Sequence, residues 1–546
     1  MNDSSAALPN LGLGLWDFVA VGAYLLVTFG VSAWAARRHT STEDFFVGGR
    51  RMPWMAVGLS ILATLFSTIS YLGVPGEAVK NGIGLSLGYL ALPFSFAVVS
   101  IFWIPFFMRL RLTSAYEYLE RRFDPSLRKL GAILFILLRM GWMSMVVFVA
   151  SLAVDEIIGS DLAWLPGPDV YWIIALIGLT AAVYTAMGGI EAVIWVDVLQ
   201  CLLLLGGVLL VIGYVMLVDH TGPIDWWNTV HANLEQHTAP PIFSTDLTIR
   251  VTVFTAIIGN FFWTICTHGS DQVVLQRYFS TSSARQARGS YIINVVVDLT
   301  MASLLAVAGF ALLTFYLKHT ALLPEGKTAA TMADKLFPFF LGHQLPAGFA
   351  GLILSAFLCD AIQTLESGVN SIVAVTTRDL LSSSQASEVK IEIPEAGSTE
   401  ARLALNDLFR VRVFSALLAI LVACNAYGVA YLREVHELTI VDMMPKFFNM
   451  FVGPLAALFF IGMFWSRCTS RSVWPAAILG LSVSITWSWW ETIFHTSWRP
   501  TILLSIAFPC LVTFFAARLI SQFVDPPRRA DEVEYSWLSV IRNREP

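Results

Sequence analysis

Charge is scarce in this 546-residue chain. Asp, Glu, Lys and Arg make up 13% of it, where a soluble globular domain carries about 25%. With 56% hydrophobic residues, 18 Trp and 38 Phe, that deficit excludes an ordinary soluble fold. Cysteine is sparse too. Cys201, Cys266, Cys359, Cys424, Cys468 and Cys510 stand singly, without the paired spacing of metal or redox sites, and they read as small core residues. Met1 to Leu15 contain no Lys or Arg, so the positive region of a cleaved leader is missing and the first apolar run is expected to be retained. The net charge is only -5 and the bases are dispersed, which offers a nucleic acid nothing to bind. No His pair has ligand spacing. Gly326-Lys327-Thr328 is not a phosphate loop, because Ala321 stands where its first glycine would be. An enzymatic or nucleotide-binding centre therefore has no support in these residues.

Long apolar runs are what the chain does have. A helix needs about 20 apolar residues to cross a hydrocarbon core about 30 Å thick. Thirteen stretches qualify, near 15–36, 53–73, 83–108, 130–154, 170–187, 190–218, 248–269, 290–317, 346–377, 411–432, 438–464, 473–490 and 498–520. The expected class is an all-α polytopic membrane protein with about thirteen transmembrane helices in a plasma (inner) membrane, contacting the lipid bilayer and no nucleic acid. With the N-terminus outside and the C-terminus cytoplasmic, the inner loops and tail hold 25 of the 34 Lys and Arg and the outer loops hold 7. That bias satisfies the positive-inside rule. Loops 219–247, 318–345 and 381–410 leave no room for a separate soluble domain, so 1–546 reads as one membrane domain with a polar tail at 525–546 whose Trp537 can touch the interface.

Three motifs stand out. The first is Asp44-Phe45-Phe46-Val47-Gly48-Gly49-Arg50, followed by Met52-Pro53-Trp54 and a serine-rich span ending in Gly73, Pro75 and Gly76. The second is Tyr184-Thr185-Ala186-Met187-Gly188-Gly189-Ile190, with Trp195, Asp197 and Gln200 beyond it. The third is Gly269-Ser270-Asp271-Gln272 with Gln276-Arg277-Tyr278 and, further on, Leu365-Glu366-Ser367-Gly368-Val369-Asn370-Ser371. Together these resemble the sodium:solute symporter family from about residue 40 to 520, above all its monocarboxylate, multivitamin and sialic acid branches. The resemblance implies a LeuT-like core: an extra N-terminal helix at 15–36, inverted five-helix units at 53–218 and 248–464, and C-terminal helices at 473–520. The sequence agrees independently. The spans that open the two units carry Ser67, Thr68, Ser70 and Gly73 in one and Asn260, Thr264, Thr267 and Gly269 in the other, and paired interruptions point to a binding site near the midplane.

By the resemblance, the main sodium site uses carbonyls of Ala63 and Phe66 and the positions of Asp360, Gln363 and Thr364. Gln363 replaces the usual Ser and Asp360 a small residue. A Gln oxygen can still ligate, and the Asp360 carboxylate either strengthens cation binding or carries a proton. Asp197 either serves a second sodium position or anchors two spans. The implied substrate positions are Ser67, Ser70, Thr264, Thr267 and His268, the last a core histidine or a proton sensor. Two bases lie inside spans, where a charge costs at least about 2.5–3.5 kcal/mol. Arg139 either holds a substrate carboxylate, which its paired donors suit, or meets a structural partner. Lys446 either pairs with Asp442 at i-4 or adds a second positive contact. Asp298 and Glu366 are acids within spans to which the sequence gives no role.

The expected function is symport of sodium, as coupling ion and without a cofactor, with a small organic solute, an organic anion on the strength of Arg139. Proton coupling in the same fold and a transporter-like sensor are the alternatives, and the oligomeric state is left open.

Overall fold

Fifteen of the sixteen main helices among the described residues exceed ten residues, and they surround one break in a long apolar helix. The computed structural model describes residues 13–36, 48–110, 112, 114–158, 168–184, 190–233, 243–346, 348–381, 399–496, 498–527 and 533–542. Residues 44–47 of the first motif, 185–189 of the second, most of the 381–410 loop and parts of the tail lie outside the described residues. The main helices are α1 (Leu15–Ala36), α2 (Trp54–Leu65), α3 (Thr68–Asn81), α4 (Ser86–Leu110), α5 (Pro125–Ile158), α6 (Asp169–Tyr184), α7 (Ile190–Asp219) and α8 (Val253–Ser270). There follow α9 (Gln272–Phe279), α10 (Ala284–Lys318), α11 (Ala333–Gln344), α12 (Phe349–Val375), α13 (Thr399–His436), α14 (Ile440–Phe464), α15 (Ser470–Ser488) and α16 (Ile502–Val524). Among the described residues, eight helices are long and apolar enough to cross a membrane, and the α2–α3 pair, bent by 64°, makes a ninth candidate. Helices α1, α6, α8 and α15 occupy the other four expected places.

Local chemistry explains the break. Pro53 opens α2, where its missing N–H costs nothing. Phe66 (φ -105°, ψ 76°) and Ser67 (φ -88°, ψ -178°) then leave helical geometry, and the Ser67 hydroxyl accepts from the Ile69 amide as the cap of α3. The last carbonyls of α2 thereby lose the amides that an unbroken helix would bring them. The second expected interruption falls elsewhere. Helix α8 runs unbroken through Asn260, Thr264 and Thr267 to Ser270, and the chain breaks at Asp271, whose carboxylate accepts from the Val273 amide and caps α9. The Thr267 hydroxyl turns back onto the Trp263 carbonyl at 2.8 Å, so these polar residues are absorbed by their own helix.

Glycines set the packing where backbones meet. A Cβ on Gly58 would lie 2.5 Å from the Ser290 carbonyl oxygen, and one on Gly309 would lie 2.7 Å from that of Pro75. The broken helix and α10 thus run side by side in the same direction. Helix α2 also packs on α7, and α5 on α12, while α15 and α16 pair at the periphery beside α14. The extra helix α1 is tied in through Asp17, whose carboxylate accepts from the Gly348 and Gly351 amides at 2.8 and 2.7 Å and so caps α12. Leu26, Phe94, Leu176, Leu179, Leu217, Phe515 and Leu519 point outward, as a lipid-facing shell requires.

Candidate solute and cation sites

Two spaces share the break. On one side lies a cavity of about 190 Å³ lined by Leu65, Phe66, Ile69 and Ser70 of the broken helix, Asn260, Trp263, Thr264, Thr267 and His268 of α8, and Tyr291, Asn294 and Asp298 of α10, with Trp142 and Phe448 completing the wall. On the other is a nook of about 10 Å³ lined by Ala63 and Thr64 of α2, Asp197 and Gln200 of α7, Asp360, Gln363, Thr364 and Ser367 of α12, and Arg139 and Arg277.

The nook gathers five of the six expected cation residues, Ala63, Asp197, Asp360, Gln363 and Thr364, while Phe66 lines the cavity instead. Asp360 joins three elements. Its carboxylate accepts from both the amide and the hydroxyl of Thr68, at the positive N-terminal end of α3, and from the Gln200 amide at 2.6 Å. Asp197 accepts from the Ser60 hydroxyl at 2.5 Å and from Arg277 at 3.0 Å. Arg277 also donates to the Ser60 hydroxyl and the Val273 carbonyl. Gln363 is 3% exposed, and neither atom of its amide has a hydrogen-bond partner among the described residues. Its unmet oxygen is an acceptor that a cation could take up. With Asp197 balanced by Arg277 and Arg139 by Asp271, Asp360 leaves this nook one negative charge in excess, and its oxygens suit a small hard cation.

Of the expected substrate positions, Ser70, Thr264, Thr267 and His268 line the cavity. Ser67 is fully buried in the break. The Nδ1 of His268 lies 2.6 Å from the Tyr278 hydroxyl. The two bases stand apart from the cavity. Arg139 pairs with Asp271, with its guanidinium 5.7 Å from the ring centre of Trp142. Trp142 in turn stacks on Trp263 at 5.7 Å, so an aromatic pair separates this base from the cavity. Lys446 donates to the Ser488 carbonyl at 3.0 Å and sits over the Trp489 ring. Its expected partner Asp442 pairs with Arg250 and Arg499 instead.

Arg277 escaped the sequence reading, which counted it among cytoplasmic loop bases, whereas its side chain is 1% exposed. Its place in the third motif, close behind Asp271 and Gln272, was the available sign. Asn294 and Asp298, one turn apart on α10, are further cavity residues whose place there no motif announced.

Comparison with known proteins agrees with this architecture. The model of the sodium:solute symporter family matches residues 45–480. The sodium/sialic acid symporter NanT of Aliivibrio fischeri is 31% identical over 87% of this chain and 88% of its own. The human sodium/iodide cotransporter is 28% identical over 89% and 71%. A solved structure of a Na+-coupled sialic acid symporter, in a substrate-bound outward-open state, is 26% identical with a TM-score of 0.76 and covers 94% of this chain and 99% of its own. These relatives are transporters and not enzymes. The protein belongs to the sodium:solute symporter family, as an integral multi-pass membrane protein of LeuT-like fold that couples symport of an organic solute to sodium.

Proposed function

We propose that the chain imports a small organic solute with sodium by alternating access, the inverted units 53–218 and 248–464 rocking about the α2–α3 break. One observation carries this reading. Ala63 and Thr64 line the cation nook while Leu65, Phe66, Ile69 and Ser70, the next few residues of the same broken helix, line the solute cavity. A cation that neutralises the nook and engages the end of α2 fixes the break, and the break is a wall of the solute site. Each ligand therefore favours the form that the other needs, which is the thermodynamic content of coupling.

The sodium ligands in this reading are the Ala63 carbonyl and the side chains of Asp360, Gln363 and Thr364, with Phe66 contributing from the far side of the break. Thermal unfolding of the purified protein in sodium chloride against potassium chloride at equal ionic strength tests it. Sodium is expected to stabilise by RT ln(1 + [Na]/Kd), about 2.7 kcal/mol at a hundredfold excess over Kd. Thr364→Ala should move the effect to higher sodium. Equal stability in both salts, in a protein that binds its solute, would overturn sodium coupling in favour of protons. Glu366, buried with Oε1 unpartnered among the described residues, would then be the carboxyl to test.

A second reading concerns the solute's charge. The names of the relatives, with sialic acid and iodide among them, favour an anion. In this chain Arg139 has its Nε buried without a partner among the described residues, an unused donor edge just behind the cavity wall. An anion that draws Trp142 aside would meet it.

A further inference from the structure

Asp298 occupies an unusual position for a carboxylate. By the packing of Gly58 on Ser290 and of Gly309 on Pro75, α10 keeps step with the broken helix, so Asp298, eight residues past Ser290, stands level with the break at Phe66 and Ser67. That is the depth at which a lone charge is most expensive. The other acids of the two sites are held: Asp197 by Ser60 and Arg277, Asp360 by Thr68 and Gln200, Asp271 by Arg139 and the Val273 amide. Asp298 makes no hydrogen bond or ion pair with any described residue, and it lines the cavity. Glu366 is also without a partner at Oε1, but it borders neither the cavity nor the nook.

The rest of the wall indicates what Asp298 waits for. Among the described residues no Lys, Arg or Glu lines the cavity, so Asp298 is its one acidic side chain, with His268 the only other titratable group apart from tyrosines. Asn294, one turn earlier on the same face of α10, lines it too. The Tyr291 hydroxyl beside them has no partner among the described residues. On the same lining, Trp142 and Trp263 stack, and Phe448 meets Trp142 edge-on at 4.8 Å. The wall of this space therefore combines a carboxyl and its neutral polar neighbours with an aromatic cluster suited to an apolar body.

We propose that the transported solute carries a protonated amino group, and that Asp298, with Asn294 beside it, receives that ammonium while the solute's apolar part lies against Trp142, Trp263 and Phe448. An ammonium supplies both the donors and the opposite charge that a carboxylate in a largely apolar cavity requires, whereas a hydroxyl supplies donors and leaves the charge unbalanced. The inference rests on the symport reading, which makes this cavity the solute site. It holds whether or not the solute also bears a carboxylate for Arg139. With both, the solute is a zwitterion.

Three size-matched probes with one aromatic body test it: benzylamine, benzyl alcohol and benzoate, titrated against the thermal unfolding of the purified full-length protein in sodium chloride at neutral pH. Benzylamine should stabilise at a concentration about tenfold lower than benzyl alcohol, as expected for one hydrogen bond to a charged group. Asp298→Asn should erase that preference, and Asp298→Glu should keep it. Equal effects of amine and alcohol would overturn the proposal and indicate a carboxyl that stays protonated. An amine preference that survives in Asp298→Asn, or stronger binding of benzoate, would overturn it as well. Stabilisation by sodium alone, read in the same samples, separates the two inferences. If it persists without amine preference, only the ammonium reading falls, and if it is absent in wild type, the symport reading falls.

Discussion

Arg139 and Asp271 form an ion pair whose side chains are 4% and 5% exposed, and at the scale of one residue this pair is where the proposed carboxylate contact can be tested. Arg139→Lys keeps the charge and a donor for Asp271 but loses the planar fork that grips a carboxylate with two parallel bonds. If a solute carboxylate takes this base, the Lys variant should bind an anionic solute about tenfold more weakly with stability little changed. If uptake by Arg139→Lys equals that of wild type, the base is a strut and the anion reading falls. Arg139→Met is the contrast, because it strands Asp271 and should destabilise by about 3–5 kcal/mol. The sequence could nominate Arg139, since a base deep in an apolar run needs a reason. It could not show that Asp271, more than a hundred residues on, was facing it. Arg277 was lost by the same lack of depth information. A base at the end of a polar motif reads as a loop residue until Asp197 and Ser60 are found around it.

At the scale of elements, the joint between α3 and α14 is the place to test motion. Gly73 of α3 would touch Ile440 and Val441 of α14 with a Cβ at 3.6 Å, and both helices line the cavity there. One turn beyond, Arg250 bridges Glu77 on α3 to Asp442 on α14, donating to Asp442 at 3.0 Å. Arg499 adds a second cation to Asp442 at 3.6 Å. In the alternating-access reading this bridge is a latch over the cavity. Arg250→Gln should release it, so that a cysteine placed at Ser70, in a background where exposed Cys424 is Ser, reacts several times faster with a water-soluble thiol reagent. An unchanged rate would show that the bridge does not limit entry. Elements were legible in the sequence where composition changes abruptly. The first break shows in Ser67, Thr68 and Ser70, of which the Ser67 hydroxyl turns forward to the Ile69 amide and the Thr68 hydroxyl outward to Asp360 and not back onto α2. The second was misplaced by up to a dozen residues, because Thr264 and Thr267 bond backward within α8, while the capping sign that does end a helix, Asp271 ahead of Gln272, lay inside a motif read for its resemblance. The latch was not legible, since Glu77, Arg250 and Asp442 are far apart in the chain and each alone reads as a loop or span-end charge.

For the whole molecule, the seven bases expected outside give the orientation a physical test. Lys80, Lys327, Lys335 and Arg433 line one crevice with Glu156 and Asp334, and Arg250 and Arg499 converge on Asp442. These bases share one end of the bundle with acids that answer them. At the other end Arg121 pairs with Glu117 and Arg128 with Glu120 and Asp379, and several further bases hold backbone. Arg122 donates to the Gly462 and Trp465 carbonyls, Arg467 to those of Gln522 and Asp525, and Arg109 to that of Ile541, which suits cations near helix C-termini. In the orientation expected from the 25 to 7 division of bases, the first end faces outward and the second, where several cations meet helix C-termini, faces the cytoplasm. We expect a membrane-impermeant maleimide to label Lys327→Cys in intact cells, in the Cys424→Ser background, and to label Arg121→Cys only after the membrane is opened. The reverse pattern would invert the molecule, placing the Glu77–Arg250–Asp442 bridge on the cytoplasmic side and turning the proposed outer latch into an inner one. Labelling at both positions in intact cells would mean that the chain inserts in two orientations. The 25 to 7 division of bases makes that outcome costly, because each misplaced cation must be carried across the hydrocarbon core.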